Sequence, residues 1–218
     1  MNHLPPDVAN LRREYSGQGL HREDLAPDPI DQFRLWFDQA RAADLLEPNA
    51  MTLATADRSG HVTARTVLLK AFDHRGFVFF TNFTSRKAQQ LADNPRAALL
   101  FPWLPLERQV EINGTTHKIS TAETLAYFAS RPFGSRIGAW VSHQSRIISS
   151  RKLLEAKFEE LKQKFADGQV PLPDFWGGFR LVPDAIEFWQ GSPSRLHDRF
   201  RYTRPDPSSP WTIHRLSP

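Results

Sequence analysis

The chain has 218 residues, enough for one large domain or two small ones, and its 40% hydrophobic and 24% charged content is that of an ordinary globular protein. A net charge of +4, from 28 Lys and Arg against 24 Asp and Glu, is spread without a basic block and suits small anions better than a polynucleotide. The lack of cysteine excludes disulfides, iron–sulfur clusters and thiolate zinc sites, and no apolar run has the length of a membrane span or signal peptide, so the expectation is a cytoplasmic protein engaging neither membrane nor nucleic acid.

Residues 1–27 are polar, contain Pro and Gly, carry Arg12, Arg13 and Arg22, and read as a mobile N-terminal arm ahead of a single domain over 28–218. Asp28-Pro29 is an N-cap followed by Pro at the first helical position, opening a helix with Ile30, Phe33, Phe37 and Ala40 on one side. MTLATA, HVTARTVLLKAF and GFVFFTNF are rich in β-branched and aromatic residues and are separated by DRSG and DHRG, the pattern of an antiparallel meander. SRKAQQLADNP reads as a short helix capped by Ser85 and stopped at Asn94-Pro95, and RAALLFPW as a strand. LERQVEINGTTHKIS is a longer strand in which Asn113-Gly114 suits a bulge better than a hairpin turn, because the flanking halves are short.

Ser120 to Glu123 match a capping box, so a helix runs from there to Arg131 and stops before Pro132. A further helix spans about 149–167, with Leu154, Phe158, Leu161 and Phe165 as its stripe and Gly168 as its end. FRLVP, AIEFWQ, SRLHDRFRY and WTIHRL follow as strands. About seven strands joined mostly by hairpins, with a few helices between, predict a mainly β fold with α: a closed or split antiparallel β-barrel with helices packed outside.

There is no GxGxxG, Walker A, HExxH or GxSxG motif, and the eight His have no ligand spacing, so no metal site is expected. If SRLHDRFRY is a strand, alternation puts Arg195, His197 and Arg199 on one face with second neighbours about 7 Å apart, and such cations call for an anion opposite. In RTVLLK, Arg65 and Lys70 stand an odd number of residues apart, so a regular strand sends them to opposite faces about 16 Å apart, unable to clamp one phosphate. Solubilising ends of an apolar strand are the plainer reading of that pair.

Thr81, Ser85, Arg86 and Lys87 occur where a strand gives way to a helix, and cations in a first turn oppose the helix dipole unless an anion joins them. Tyr127 and Arg131 share a helix face and Ser135 follows past Pro132, gathering two hydroxyls and a guanidinium in one small region or simply finishing a helix. Gln144 and Ser145 suit the edge of a heterocycle, though an ordinary polar loop looks the same.

RTVLLK, TNFTSRKAQQLADNPRAALLFPW, ERQV, YFASRPFGSRIGAWVSHQS, FWGGFR, EFWQG and RLHDR, in this order, resemble the pyridoxine/pyridoxamine 5′-phosphate oxidase family, from LRREY at residue 11 to the C-terminal RLSP. The resemblance implies a split-barrel homodimer with FMN at the subunit interface. It implies oxidation of pyridoxine 5′-phosphate and pyridoxamine 5′-phosphate to pyridoxal 5′-phosphate, with hydride passing from C4′ to flavin N5, O2 as acceptor and H2O2 as product. The amine substrate also releases ammonia.

By matching motif, Arg65 and Lys87, with Arg86, Thr81 and Ser145, would hold the FMN phosphate and ribityl chain, and Thr66, Val67, Leu68, Leu69, Lys70 and Phe80 would belong to the cofactor site. Gln109, Gln144, Trp189 and Arg199 would contact the flavin ring, Arg199 stabilising the reduced anion. Lys70, Tyr127, Arg131 and Ser135 would bind the substrate phosphate. Arg195 and His197 would embrace the substrate ring as the catalytic pair, and Arg12 and Tyr15 would close the site. Two phosphate sites agree with Arg65 and Lys70 facing opposite ways.

The family commonly has a second Ser after Gln-Ser, where this chain has Arg146, open to a phosphate contact or to solvent. The competing readings are another flavin-dependent split-barrel oxidoreductase, and a noncatalytic binder of pyridoxal phosphate or of nucleic acid.

Overall fold

Turn and cap residues set where the elements begin in the computed structural model, which describes residues 10, 11, 13–17, 19–142 and 144–218. Asp28 accepts the Ile30 N–H at 2.7 Å and opens α1 (Pro29–Ala42). The meander follows as β1 (Ala50–Ala56), β2 (Val62–Leu68), β3 (Ala71–Asp73) and β4 (Gly76–Asn82). Ser85 caps α2 (Arg86–Asp93), and β5 (Arg96–Trp103) and β6 (Arg108–Lys118) come next. The Ser120–Glu123 capping box forms, starting α3 (Thr121–Ser130). Then come α4 (Phe133–Val141), α5 (Arg151–Lys164), β7 (Trp176–Gln190), β8 (Asp198–Thr203) and β9 (Thr212–Leu216).

All strand pairs are antiparallel, in the order β2-β1-β5-β6-β7-β4-β3, with β8 on β7 and β9 on β8. The two ends of this path are one piece of chain. The Leu69 N–H donates to the Asn49 carbonyl beside β1, and the next N–H, of Lys70, donates to the Val78 carbonyl of β4. β2 and β3 therefore form one bent strand bonded to both edges, and the sheet closes on itself as the barrel the sequence predicts.

α1 plugs the wall with aromatic groups. The fully buried Phe33 ring lies 5.0 Å from each of Phe72, Phe77 and Phe101, while Trp36 meets Phe188 edge-on. A second, smaller core joins Phe128, Ile137, Leu161 and Trp176 beneath α3, α4 and α5, using Phe158, Leu161 and Phe165 of the predicted α5 stripe but not Leu154. Among the described residues no helix is long and apolar enough to cross a membrane.

Some expectations change. FRLVP and AIEFWQ are one strand, β7, and the irregularity sits where Asn113 pairs with Ala185 but Gly114 with Pro183, leaving Asp184 as the extra residue. This is the bulge expected at Asn113-Gly114, and it accommodates Pro183, which has no N–H to give a ladder. Gly114 is required there, since a Cβ would lie 2.1 Å from the Val182 carbonyl oxygen.

The strand expected over 194–202 starts only at Asp198, because Ser194 and Arg195 take left-handed φ values of 56° and 61° in a tight turn. FGSRIGAWV, assigned no element from sequence, is α4; its two glycines weaken the helical signal, and burial of Ile137 and Ala139 supplies what propensity lacks. The packed body also begins before residue 28, since Leu20 and Leu25 belong to the main core.

Replacing Phe33 by Ala removes the ring around which the α1 face of the core is built. The expected loss is about 3–5 kcal/mol of unfolding free energy, measurable by urea denaturation.

Candidate functional site

The bent strand and its neighbours open a cleft of about 310 Å³ against the barrel wall. Arg65, Thr66, Val67, Leu68 and Lys70 line it from the bent strand, Phe80 and Thr81 from β4, and Lys87 from the first turn of α2. Tyr127, Arg131, Gln144 and Trp176 complete the wall. Four of these residues are cations, and no Asp or Glu lines the cleft among the described residues.

Arg65 is held by a relay. Its guanidinium donates to the Leu53 carbonyl at 3.0 Å, to Thr55 Oγ1 at 2.7 Å and to Thr63 Oγ1. Both threonine hydroxyls donate in turn to Gln90 Oε1, at 2.6 and 2.7 Å. A hydroxyl has one proton, so committing it to Gln90 turns the lone pairs toward Arg65 and sets the guanidinium's direction. Gln90, Thr55 and Thr63 carry no sequence signal, because each is an ordinary polar residue until the barrel brings them together.

Lys87 Nζ lies 3.2 Å from both Thr81 Oγ1 and Gln144 Oε1. The Arg86 N–H donates to Ser145 Oγ at 3.2 Å, which brings the Gln144-Ser145 turn onto the start of α2. Thr81, Lys87 and Gln144 thus meet at the cleft, whereas Ser85, Arg86 and Ser145 lie outside its lining. Burial, with Arg65 nearby, pulls the Lys87 ammonium below the usual lysine range; burial, with Arg86 nearby, likewise lowers the Arg65 guanidinium.

The other part of the cleft is aromatic and cationic. Tyr127 stacks on Phe80 with centroids 4.0 Å apart, Phe80 lies parallel to Trp176 at 5.2 Å, and the Arg131 guanidinium sits 4.7 Å from the Trp176 ring. Arg131 Nη1 is buried and has no hydrogen-bond partner among the described residues. Burial lowers the Arg131 pKa and raises that of the Tyr127 phenol.

Arg65 and Lys70 do not serve separate faces; both line this one cleft. The strand is interrupted at Leu69-Lys70, where it passes from β1 to β4, so regular alternation does not carry from one residue to the other. Leu69 is buried in the core and does not line the cleft. Ser135 lies exposed in the first turn of α4, also outside the lining, and Arg146 is exposed. Trp176, which stands in the FWGGFR motif but was assigned no role from sequence, also lines the cleft.

The remaining candidates gather elsewhere. Gln109, Trp189 and Arg199 form a cross-strand row over β6, β7 and β8. The His197 ring lies 4.7 Å from Trp189 and 5.3 Å from Tyr15, and Tyr15 meets Trp189 edge-on at 5.6 Å. Arg195 and Tyr15 line a second depression of about 320 Å³. Arg12 falls outside the described residues.

The Ser192 N–H donates to His197 Nδ1 at 3.2 Å, so that nitrogen carries no proton and the neutral ring presents Nε2–H. Arg195, His197 and Arg199 do not share a strand face, since only Arg199 lies within β8. The anion facing Arg199 belongs to the chain itself: its Nε donates to Glu187 Oε1 at 2.8 Å. Trp176 and Trp189 stand at opposite ends of β7, with roughly 40 Å of strand between them and less in a straight line where the strand bends.

Residues 37–165 match a family model described as pyridoxamine 5′-phosphate oxidase, and residues 176–218 one described as pyridoxine 5′-phosphate oxidase C-terminal dimerisation region. A pyridoxine/pyridoxamine 5′-phosphate oxidase of Rippkaea orientalis is 61% identical over 212 residues, covering 97% of this chain and 100% of the relative. One so named from Aliarcobacter butzleri is 57% identical with the same coverage. The crystal structure of PhzG from Burkholderia lata in complex with tetrahydrophenazine-1-carboxylic acid is similar with a TM-score of 0.86 and 32% identity, covering 93% of this chain and 100% of that one. A pyridoxamine 5′-phosphate oxidase-related, FMN binding protein from Nostoc punctiforme, at 16% identity and a TM-score of 0.68, shares the fold over 89% of this chain and all of its own.

Because the folded-state pKa of Lys87 lies below its ordinary value of 10.5, its charged form disfavours folding. That penalty is full below the depressed pKa and fades as pH rises from there toward 10.5, a range in which the unfolded chain still holds the proton. In the ligand-free protein, Lys87→Met is therefore expected to raise the thermal midpoint at pH 7, and the gain to shrink in scans at successively higher pH.

Proposed function

The chain belongs to the pyridoxamine 5′-phosphate oxidase family, and from that premise we propose that it oxidises pyridoxine 5′-phosphate and pyridoxamine 5′-phosphate to pyridoxal 5′-phosphate, using FMN and dioxygen. The observation that carries this reading is the cleft with four cations and no carboxylate among its described lining, in which Arg131 Nη1 is buried without a partner. Unpaired buried donors of this kind suit phosphate oxygens. A cytoplasmic location accords with the cysteine-free chain.

The donor set fits two phosphates. Arg65, aimed by its threonine relay, and Lys87, beside Thr81 and the Ser145 turn, are assigned to the FMN phosphate and ribityl chain. Lys70, Tyr127 and Arg131 are assigned to the substrate phosphate; Ser135, outside the cleft lining, is assigned to it by its motif alone. When bound, FMN supplies an acceptor for the hydride equivalent leaving C4′ and passes the electrons on to O2, giving H2O2.

The protein's part is placement. His197, with Nδ1 occupied by the Ser192 N–H, offers Nε2–H to a substrate oxygen and so acts as a donor rather than a proton acceptor in this tautomer. Arg195 adds a cation on the same side, and the Tyr15 ring, edge-on to His197 and Trp189, keeps water from that flank. Arg199 and Gln109 are assigned the polar edge of the flavin. Pairing with Glu187 orients Arg199 and reduces the net positive charge it offers a reduced ring.

These two groups stand at opposite ends of β7, so the cleft of one subunit is completed by the His197 group of another. The match of residues 176–218 to a dimerisation region supports this arrangement.

Arg131→Met is expected to raise KM for the phosphorylated vitamers roughly 30- to 100-fold, from the loss of a charge-assisted pair, while flavin content stays unchanged. Steady-state assays on phosphorylated and dephosphorylated substrates check this, and equal activity on both would overturn the phosphate assignment. With substrate held far below the raised KM, where Arg131→Met and His197→Asn homodimers are each expected to turn over little, equal mixing and reassociation of the two should restore roughly a quarter of wild-type activity, because half the dimers then carry one intact composite site. No recovery in reassociated hybrids would show that each site lies within one chain.

A further inference from the structure

Glu107 follows the short turn between β5 and β6 and holds a left-handed φ of 54°. A non-glycine residue in that region is strained, and the strain persists only when surrounding contacts over-determine it. Its carboxylate is almost completely buried, at 6% exposure. A buried carboxylate requires donors, and here they come from the N-terminal segment. The Ser16 and Gly17 N–H groups donate to Oε2 at 2.8 and 3.0 Å, and Arg13 Nη2 lies 3.6 Å from Oε1.

The same residue grips the opposite side through its main chain. The Glu107 carbonyl accepts the Gly191 N–H at 2.7 Å and Gln190 Nε2 at 3.2 Å, at the start of the turn that carries Arg195 and His197. Close packing across this junction is compulsory: a Cβ on Gly17 would stand 2.3 Å from the Gly191 carbonyl oxygen. Tyr15 lies within the anchored segment, immediately before Ser16, with its ring against His197 and Trp189.

We propose that Glu107 is a positioning residue for the oxidation: its carboxylate anchors Arg13–Gly17 and thereby holds Tyr15 against His197, setting substrate affinity without touching substrate. This rests on the reading of Tyr15 and His197 as substrate-side residues.

Glu107→Gly is the direct test, because glycine accepts the left-handed backbone while deleting the carboxylate. In the flavin-loaded enzyme, substrate KM should rise roughly tenfold while kcat changes far less, as expected for the loss of charge-assisted hydrogen bonds that act on binding. Tryptic cleavage after Arg13 should accelerate, with flavin content unaltered. Gly17→Ala, which leaves the carboxylate but blocks the approach, should reproduce both effects. Tyr15→Ala should raise KM alone, and combining it with Glu107→Gly should add nothing more.

An unchanged cleavage rate in Glu107→Gly overturns the anchor. An unchanged KM in that variant, where Tyr15→Ala raises KM, overturns its role in affinity. A Tyr15→Ala enzyme with unaltered KM instead overturns the substrate-side reading beneath the proposal, a result separable from the other two.

Discussion

Uncompensated positive charge in a partly buried cleft is the constraint around which the rest of this molecule is arranged. Arg65, Lys70, Lys87 and Arg131 face the same space with no acid among its described lining. Elsewhere some half-buried cations meet acids, Arg180 with Asp73 and Glu123 and Arg199 with Glu187, while Arg108 is held by the neutral side chains of Gln190 and Gln39. The cleft differs in gathering four cations in one space with no acid in its described lining. Repulsion among the cleft cations disfavours the ligand-free state, and an anionic ligand would relieve it.

The barrel makes this concentration of charge possible by holding each cation from a different rigid element. The bent strand carries two of them, α2 a third, and the end of α3 the fourth. Main-chain bonds on both edges of the bent strand stop it from relaxing outward, and the Thr55–Thr63–Gln90 relay removes the remaining freedom of Arg65. Orientation is thus set before any ligand arrives, which lowers the ordering cost of binding.

β7 imposes the complementary limit. Its fifteen residues serve the cleft at one end and the Trp189–His197 group at the other, so they separate within one subunit the two sets of residues assigned to one reaction. Two copies resolve this if each lends the end the other lacks, which makes assembly part of the proposed site. The left-handed backbone positions Glu107, Ser194 and Arg195 cluster at the His197 end, where the chain must turn sharply to present side chains and receive the N-terminal segment.

Local chemistry was readable in the chain alone. Asp28, Ser85 and Ser120 cap helices because short polar side chains next to a β-region residue satisfy first-turn N–H groups, and alternation with turn residues marks the strands from 51 to 118. The basic first turn of α2 likewise pointed to an anion from sequence spacing, while the family motif, not spacing, gave the Tyr127–Arg131 pair its phosphate role. Tertiary structure decided what short-range rules do not reach. Arg65 and Lys70 share a cleft because the strand changes partners between them; Trp176 joins that cleft through the pairing of β7 with β4; Ser192 sets the His197 tautomer; and Glu187 supplies the counterion of Arg199. Propensity and period describe neighbours within a few residues, whereas barrel closure and long-range pairing determine which distant side chains meet.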